Sequence, residues 1–261
     1  MNILVIGDVV GRCGRNVLLE NIADIKKEYN VDFTVVNGEN ATTGNGISEK
    51  YASLMLESGI DVITLGNHSF DKKDLFHLLE TDNRIIRPLN LSPDLPGDGV
   101  GVYEFNGIKI CVINIIGKTY IDGEISSPFT VLKKAVENVK RKYDLKIIIV
   151  DFHAEATSEK QALAYYMDGE ISFIYGTHTH VQTNDARILG GKTAYITDIG
   201  MTGSEDSVIG LCKEIGINRF ISSERQKFKW GEKTPMINGA VVEVDEKTGF
   251  ATNVSLIYKR Y

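Results

Sequence analysis

Short apolar runs rich in Val and Ile alternate, along the first two-thirds of the chain, with segments whose apolar residues recur every three or four positions. "NILVIG", "DFTVVNG" and "DVITLG" read as strands, and the patterns between and after them predict helices over about 15–29, 48–58 and 71–80. Strand, helix, strand in that order predicts an α/β fold in which helices cover a sheet with parallel strands. A β-rich pair then spans 100–116 with Asn106 and Gly107 as its hairpin turn, and a helix follows over about 130–142. "KIIIVDF", a helix near 158–168 and "ISFIYG" continue the alternation. The last third changes character: short strands near 185–197 and 236–259 enclose a mixed segment, 199–235. No repeat, linker or low-complexity tract interrupts the chain, so residues 1–261 are read as one domain with 199–235 as a candidate cap.

Five of these strands end in polar clusters: "GDVVG", "NGEN", "GNH", "DFH" and "GTHTH". In an open, largely parallel sheet the carboxyl ends of the strands line one edge, where ligands bind. That placement gathers Asp8, Glu39, Asn40, Asn67, His68, His153, His178 and His180 into one candidate site. Singly, each cluster has a plainer reading, since Asp after a strand commonly caps a helix and Asn-Gly makes a turn. Their joint occurrence carries the weight: four of the five histidines fall at strand ends, whereas His77 lies on a predicted helix and is read as solvated or at the core edge.

Imidazole nitrogens with carboxylate and amide oxygens, and no thiolate, suit iron, manganese or zinc better than calcium or a structural zinc site. With His68 set aside, seven candidate ligands remain, too many for one four-coordinate ion. Two ions about 3.5–4 Å apart, sharing a bridging carboxylate, would use them all. Two divalent ions carry +4; Asp8 and Glu39 remove two charges and a bridging hydroxide one more, which leaves a site near +1 that selects an anionic substrate.

Composition sharpens this. With 261 residues, 43% hydrophobic and 25% charged, the chain buries a sizeable core as an ordinary soluble protein. Its formal charge of −6 excludes a general nucleic-acid surface or attraction to an anionic membrane, so a phosphate-bearing ligand needs a local positive site. Cys13, Cys111 and Cys212 form no CxxC pair and read as reduced, mostly buried thiols. No apolar run approaches the roughly 18–20 residues of a membrane span. "MNILVIGD" has no basic leader or cleavage site, and a cytoplasmic location is expected.

"GD" at 7–8, "GNH" at 66–68, His153 and "GTHTH" at 176–180 together resemble the calcineurin-like metallophosphoesterases. More narrowly, "GDVVGRCGR", "VVNGEN", "ITLGNHSFD", "VDFHAEATSEK" and "GTHTHVQT" resemble the bacterial YmdB branch, and the likeness extends through "YITDIGMTG" and "QKFKW". The resemblance implies an αββα sandwich of mixed sheets flanked by helices, and a phosphodiesterase acting on cyclic nucleotides, notably 2′,3′-cyclic ones. The sequence departs from the wider superfamily in two places. Its Asp-x-His motif meets Val10 here, and Glu39 stands where a bridging Asp is usual. The resemblance therefore implies Asp8, Glu39, Asn40 and His180 on one metal and Glu39, Asn67, His153 and His178 on the other, both ions being divalent iron or manganese, with zinc as an alternative. His68 is left without a metal. It is assigned as the general acid that protonates the departing ribose oxygen after a metal-activated hydroxide attacks phosphorus in line.

Other readings fare less well. Gly7, Gly11 and Gly14 are spaced G-x3-G-x2-G, not as a dinucleotide fingerprint, and Asp8 would face the pyrophosphate. "HTHVQT" does not continue as H-x-H-x-D-H, and it comes too late for an amidohydrolase. A phosphomonoesterase, and a metal or nucleotide sensor with weak turnover, share the ligand set and stay open, as does the oligomeric state. Arg12 and Arg15 are read as forming surface salt bridges in preference to phosphate contacts, and Phe228 and Trp230 as filling the core in preference to stacking on a base. The loop "NATTGNG" at 40–46 either shapes the nucleotide pocket or turns the chain.

Overall fold

A computed structural model describes residues 1–190, 192–222 and 226–261. Residue 191, within the expected strands at 185–197, and residues 223–225, within the expected cap, lie outside the described residues. In chain order the elements are β1 (Asn2–Ile6), β2 (Asp8–Val9), α1 (Gly11–Glu28), β3 (Phe33–Asn37), α2 (Glu49–Glu57), β4 (Val62–Thr64), α3 (Phe76–Thr81), β5 (Ile85–Ile86), β6 (Val100–Phe105) and β7 (Ile108–Ile116). They continue as α4 (Pro128–Tyr143), β8 (Ile147–His153), α5 (Thr157–Tyr166), β9 (Phe173–Thr177), β10 (Arg187–Leu189), β11 (Thr193–Ile196), β12 (Met201–Ser204), α6 (Lys213–Ile221), β13 (Pro235–Val244) and β14 (Ala251–Arg260).

The strands form two mixed sheets, in the orders β2-β12-β13-β1-β3-β4-β5, with β14 on β13, and β10-β11-β9-β8-β7-β6. In the first, β1, β3 and β4 run parallel, with Ile6 opposite Val36 and Asn37 opposite Thr64. In the second, β7, β8 and β9 run parallel, with Ile116 opposite His153 and His153 opposite Thr177. One apolar layer lies between the sheets, built from Ile3, Val5, Phe33 and Val35 on one side and Val112, Ile149 and Phe173 on the other. The outward face of the first sheet packs Leu4, Ile6 and Ile63 against Leu18 and Ile22 of α1 and Met55 of α2. That of the second packs Ile113, Ile148 and Val150 against Leu132 and Val136 of α4 and Leu163 of α5. The expected four-layer αββα sandwich results. It explains why the central strands lack polar alternation: both faces of each are buried, and each Ile or Val side chain stabilises the fold by about 1.5–3 kcal/mol.

Several elements differ from expectation. Helix α1 begins at Gly11, four residues early, because its glycines serve packing and do not break the helix: a Cβ at Gly14 would overlap the Thr202 carbonyl of β12. The helix expected at 71–80 divides into a 3-10 turn at Lys73–Leu75 and the short α3. The two-residue strands β2 and β5 carry too few residues to show a period. The polar strand ends expected on one sheet edge come from two sheets, β1, β3 and β4 of the first and β8 and β9 of the second. No helix among the described residues is long and apolar enough to cross a membrane.

Candidate metal centre

The five polar clusters meet at one end of the sandwich. Asp8, Glu39 and His153 are at most 1% exposed and Asn40 is 5% exposed, so they form the floor of the site, with Asn67, His68, His178 and His180 nearer solvent. At the centre stands His153 Nε2, with Glu39 Oε1 at 3.2 Å, Asn67 Oδ1 at 3.0 Å and His178 Nδ1 at 3.0 Å. Beside it, Asp8 Oδ2 lies 3.3 Å from His180 Nε2 and accepts the His178 backbone N–H at 2.9 Å. Gly66 makes the approach possible, since a Cβ there would overlap Glu39 Oε2 and His153 Nε2.

A divalent ion fits these donors. One ring nitrogen carries at most one proton, yet three lone-pair atoms crowd His153 Nε2. Neighbouring ligands of an octahedral ion bonded at about 2.1 Å lie about 3.0 Å apart, close to what is observed. Two further acceptors on the floor, Asp8 Oδ1 and Asn40 Oδ1, are buried with no hydrogen-bond partner. Leaving such an oxygen unsatisfied costs about 1–3 kcal/mol, which a cation removes.

The surroundings set the tautomers. Thr177 Oγ1 donates to Asp151 Oδ1 at 2.7 Å and so accepts, at 2.9 Å, the proton on His153 Nδ1. The Ile209 carbonyl accepts the Nδ1 proton of His180 at 2.9 Å, and Glu155 Oε2 lies 3.1 Å from Nε2 of His178. His153 and His180 thus donate outward through one nitrogen and turn the other to the centre, the arrangement by which metal-binding imidazoles are oriented, and His178 likewise turns Nε2 toward Glu155 and Nδ1 inward. Asp151 is itself held by Thr64 Oγ1 at 2.5 Å and Asn37 Nδ2 at 3.0 Å.

Charges shift accordingly. Burial disfavours ionisation of Glu39 and His153 alike, but their mutual attraction outweighs it, holding Glu39 below the usual carboxylate range and lifting His153 to about 9. Burial, then the neighbouring His153, pushes His178 down to about 3. In the metal-free protein a proton on His153 therefore stands where a cation's charge would be.

His68 touches this floor only through its backbone, whose N–H donates to Glu39 Oε2 at 3.2 Å. Its ring Nδ1 lies 2.9 Å from Asp71 Oδ2 and 3.2 Å from Asn45 Nδ2. The "NATTGNG" loop therefore both turns the chain and reaches His68. Arg12 makes the expected exposed pair with Glu232 at 2.6 Å. Arg15 does not: it is buried, donates to the Ala41 carbonyl and lies over the Tyr51 ring at 3.6 Å, because the helix face it occupies packs against that loop. Trp230 packs with Val10, Met201 and Met236, but Phe228 is 55% exposed, which corrects its reading as a core residue. Its ring stands edge-on to Trp230 with centroids 6.4 Å apart and carries the Arg219 guanidinium at 5.1 Å.

Asp71, Asp151, Glu155, Thr177 and the Ile209 carbonyl escaped the sequence reading. The four side chains lie within four residues of a selected histidine in "GNHSFD", "VDFHAE" and "GTHTH", a proximity that marks them in retrospect. The carbonyl has no side-chain signature at all.

The comparisons agree on one family. The model of a family described as YmdB-like protein matches residues 4–257. A 2′,3′-cyclic-nucleotide 2′-phosphodiesterase of Bacillus subtilis (strain 168) is 41% identical over 257 residues, 98% of this chain and 96% of its own. Two crystal structures superpose with a TM-score of 0.92: a hypothetical protein from Thermus thermophilus, 35% identical and covering 100% of this chain and 99% of its own, and a novel phosphatase of Mycoplasma pneumoniae, 38% identical and covering 100% and 93%. Matched from Leu4 to Ile257, the chain belongs to the YmdB-like protein family.

Proposed function

We propose that the chain hydrolyses 2′,3′-cyclic nucleoside monophosphates at a site of two divalent ions. The observation that carries this reading is the set of three histidines gathered on buried carboxylates: Nε2 of His153 faces Glu39, Nε2 of His180 faces Asp8, and Nδ1 of His178 closes on Nε2 of His153, while His153 and His180 donate outward through Nδ1 to oxygens. The activity named for the Bacillus subtilis relative supports the substrate class. Asp8, Asn40 and His180 would hold one ion and Asn67, His153 and His178 the other, with Glu39 between them. Iron or manganese suits these nitrogen and oxygen donors. Such ions lower the pKa of a bound water and neutralise charge on the phosphoryl oxygens.

The chain's own residues supply the rest. Asp71 lies against His68 Nδ1, so that the imidazolium would give its Nε2 proton to the ribose oxygen as the P–O bond breaks and hydroxide, left when water releases a proton to solvent, joins phosphorus; His68 then regains its proton from solvent. By analogy with the relative's name, the bond that breaks is to O2′ and the product is the 3′-monophosphate. The decisive experiment is turnover of 2′,3′-cyclic AMP by manganese- or iron(II)-loaded protein, with the product isomer resolved. Chelator-sensitive formation of the 3′-monophosphate is expected. No turnover by protein carrying two ions would reject the proposal.

Two further results are expected. Asn67→Ala removes an oxygen 3.0 Å from His153 Nε2 and should lower bound metal from two ions to about one per subunit. Full occupancy by elemental analysis would strike Asn67 from the ligand set. The second concerns pH: metal must displace the proton that His153, at about 9, holds in the metal-free protein at neutral pH. Affinity should therefore rise as pH rises through neutrality and level off above about 9. Calorimetry at pH 7.5 in buffers of unlike ionisation enthalpy should detect close to one proton released for that ion; identical heats in all buffers would contradict it.

A further inference from the structure

His178 has φ of 96°, a left-handed conformation that a non-glycine side chain adopts only when its surroundings impose it. The peptide groups on either side of its Cα are both gripped. The carbonyl of Thr177 accepts from Lys160 Nζ at 2.9 Å, while the N–H of the same peptide unit, on His178, donates to Asp8 Oδ2 at 2.9 Å. Beyond Cα, the N–H of Thr179 and its Oγ1 both donate to Asp198 Oδ2, at 3.2 Å and 2.8 Å. Lys160 and Asp198 are paired with each other at 2.7 Å, and each side chain is 1% exposed. The remaining oxygen, Asp198 Oδ1, accepts the Gly200 N–H at 2.8 Å.

A buried ion pair is weak evidence of stabilisation for its own sake, because desolvating two charges costs about as much as their attraction returns. Placement is the more informative property here. The pair sits beneath the histidine loop, and the glycine of "GTHTH" accommodates it: a Cβ at Gly176 would overlap the Thr197 carbonyl and crowd the Lys160 stem. Helix α5 contributes the lysine and the turn after β11 the aspartate, so two separate elements meet on one residue's backbone. We propose that Lys160 and Asp198 are positioning residues for the metal centre: they hold His178 in its left-handed conformation and so aim His178 Nδ1 and the following His180 at the ions. This inference rests on the ligand set proposed above and extends it to residues that touch neither metal nor substrate.

The test uses the full chain and cobalt(II), whose visible absorption reports the ligands around it. In the double variant Lys160→Met with Asp198→Asn both charges go, the one amide oxygen keeps the two Thr179 donors while the amide nitrogen turns toward Gly200, and the Thr177 carbonyl loses its lysine. Cobalt affinity should fall at least tenfold and the visible band should change, with the thermal midpoint little altered. Thr179→Val removes only one hydroxyl donor from a partly exposed loop and should weaken cobalt binding severalfold; it decides the matter if the double variant does not fold. Unchanged affinity and spectrum in a folded variant would overturn the positioning role and leave the pair a purely structural one. Wild-type protein that binds no cobalt would overturn the ligand set itself, and the positioning role with it, a result distinct from equal binding by wild type and variants.

Discussion

Replacing His68 with alanine is expected to lower turnover of a 2′,3′-cyclic nucleotide by roughly 10²–10⁴, with metal content unchanged. The expectation follows from how His68 is attached. Its ring contacts Asp71 and Asn45, its backbone N–H contacts Glu39, and neither nitrogen of the His68 ring is among the three atoms crowding His153 Nε2. Losing the ring therefore removes a proton donor and leaves the floor of the site in place. A leaving group that needs no proton, such as p-nitrophenolate, should recover most of the loss. Parallel loss of metal and activity would make His68 a ligand.

Glu39→Gln should act on the opposite side of that division. The carboxylate is buried, 3.2 Å from His153 Nε2, and is proposed to bridge both ions; the amide keeps its shape and loses its charge. Bound metal should drop below one ion per subunit and turnover by at least roughly 10³-fold, more than the loss of one transition-state donor. Two bound ions in the variant would remove Glu39 from the bridge. In the metal-free protein the change also deletes a buried ion pair, and the sign of its pH dependence can be worked out. Glu39 is depressed in the folded state, so its contribution is present above the ordinary value of 4.5 and fades in acid. His153 is raised, so its contribution is complete below 6.5 and is lost as pH rises through about 9. The variant's deficit in thermal midpoint, measured with chelator present, should be largest between those ordinary values, near pH 5.5, and smallest above about pH 9.

How much of this could be read in the sequence depended on where the information lay. The long buried strands announced themselves because "NILVI" and "KIIIVDF" have no polar face, and the sandwich covers both faces. β2 and β5, at two residues each, could not. The eight candidate residues were legible because histidine and buried carboxylates are costly at strand ends without a purpose. What orients them was less so: Asp151, Thr177 and Glu155 are ordinary polar residues until their partners across the sheets are known. Lys160 was the least legible of all, since a lysine in "TSEKQALAYY" looks like any solvent-facing helical residue, and only the position of Asp198 shows that it points inward. Arg15 misled for the same reason.

The centre draws Asp8, Glu39 and Asn67 from one sheet and His153 and His178 from the other. With the proposed ligand set, bound ions would be a rivet across a seam, holding the two halves of the sandwich in a common alignment to within the tolerance of a coordination bond. Sliding of one sheet over the other would pull that proposed ligand shell apart. On that proposal, catalytic geometry and the mechanical registration of the two sheets are one constraint, set at the same five strand ends.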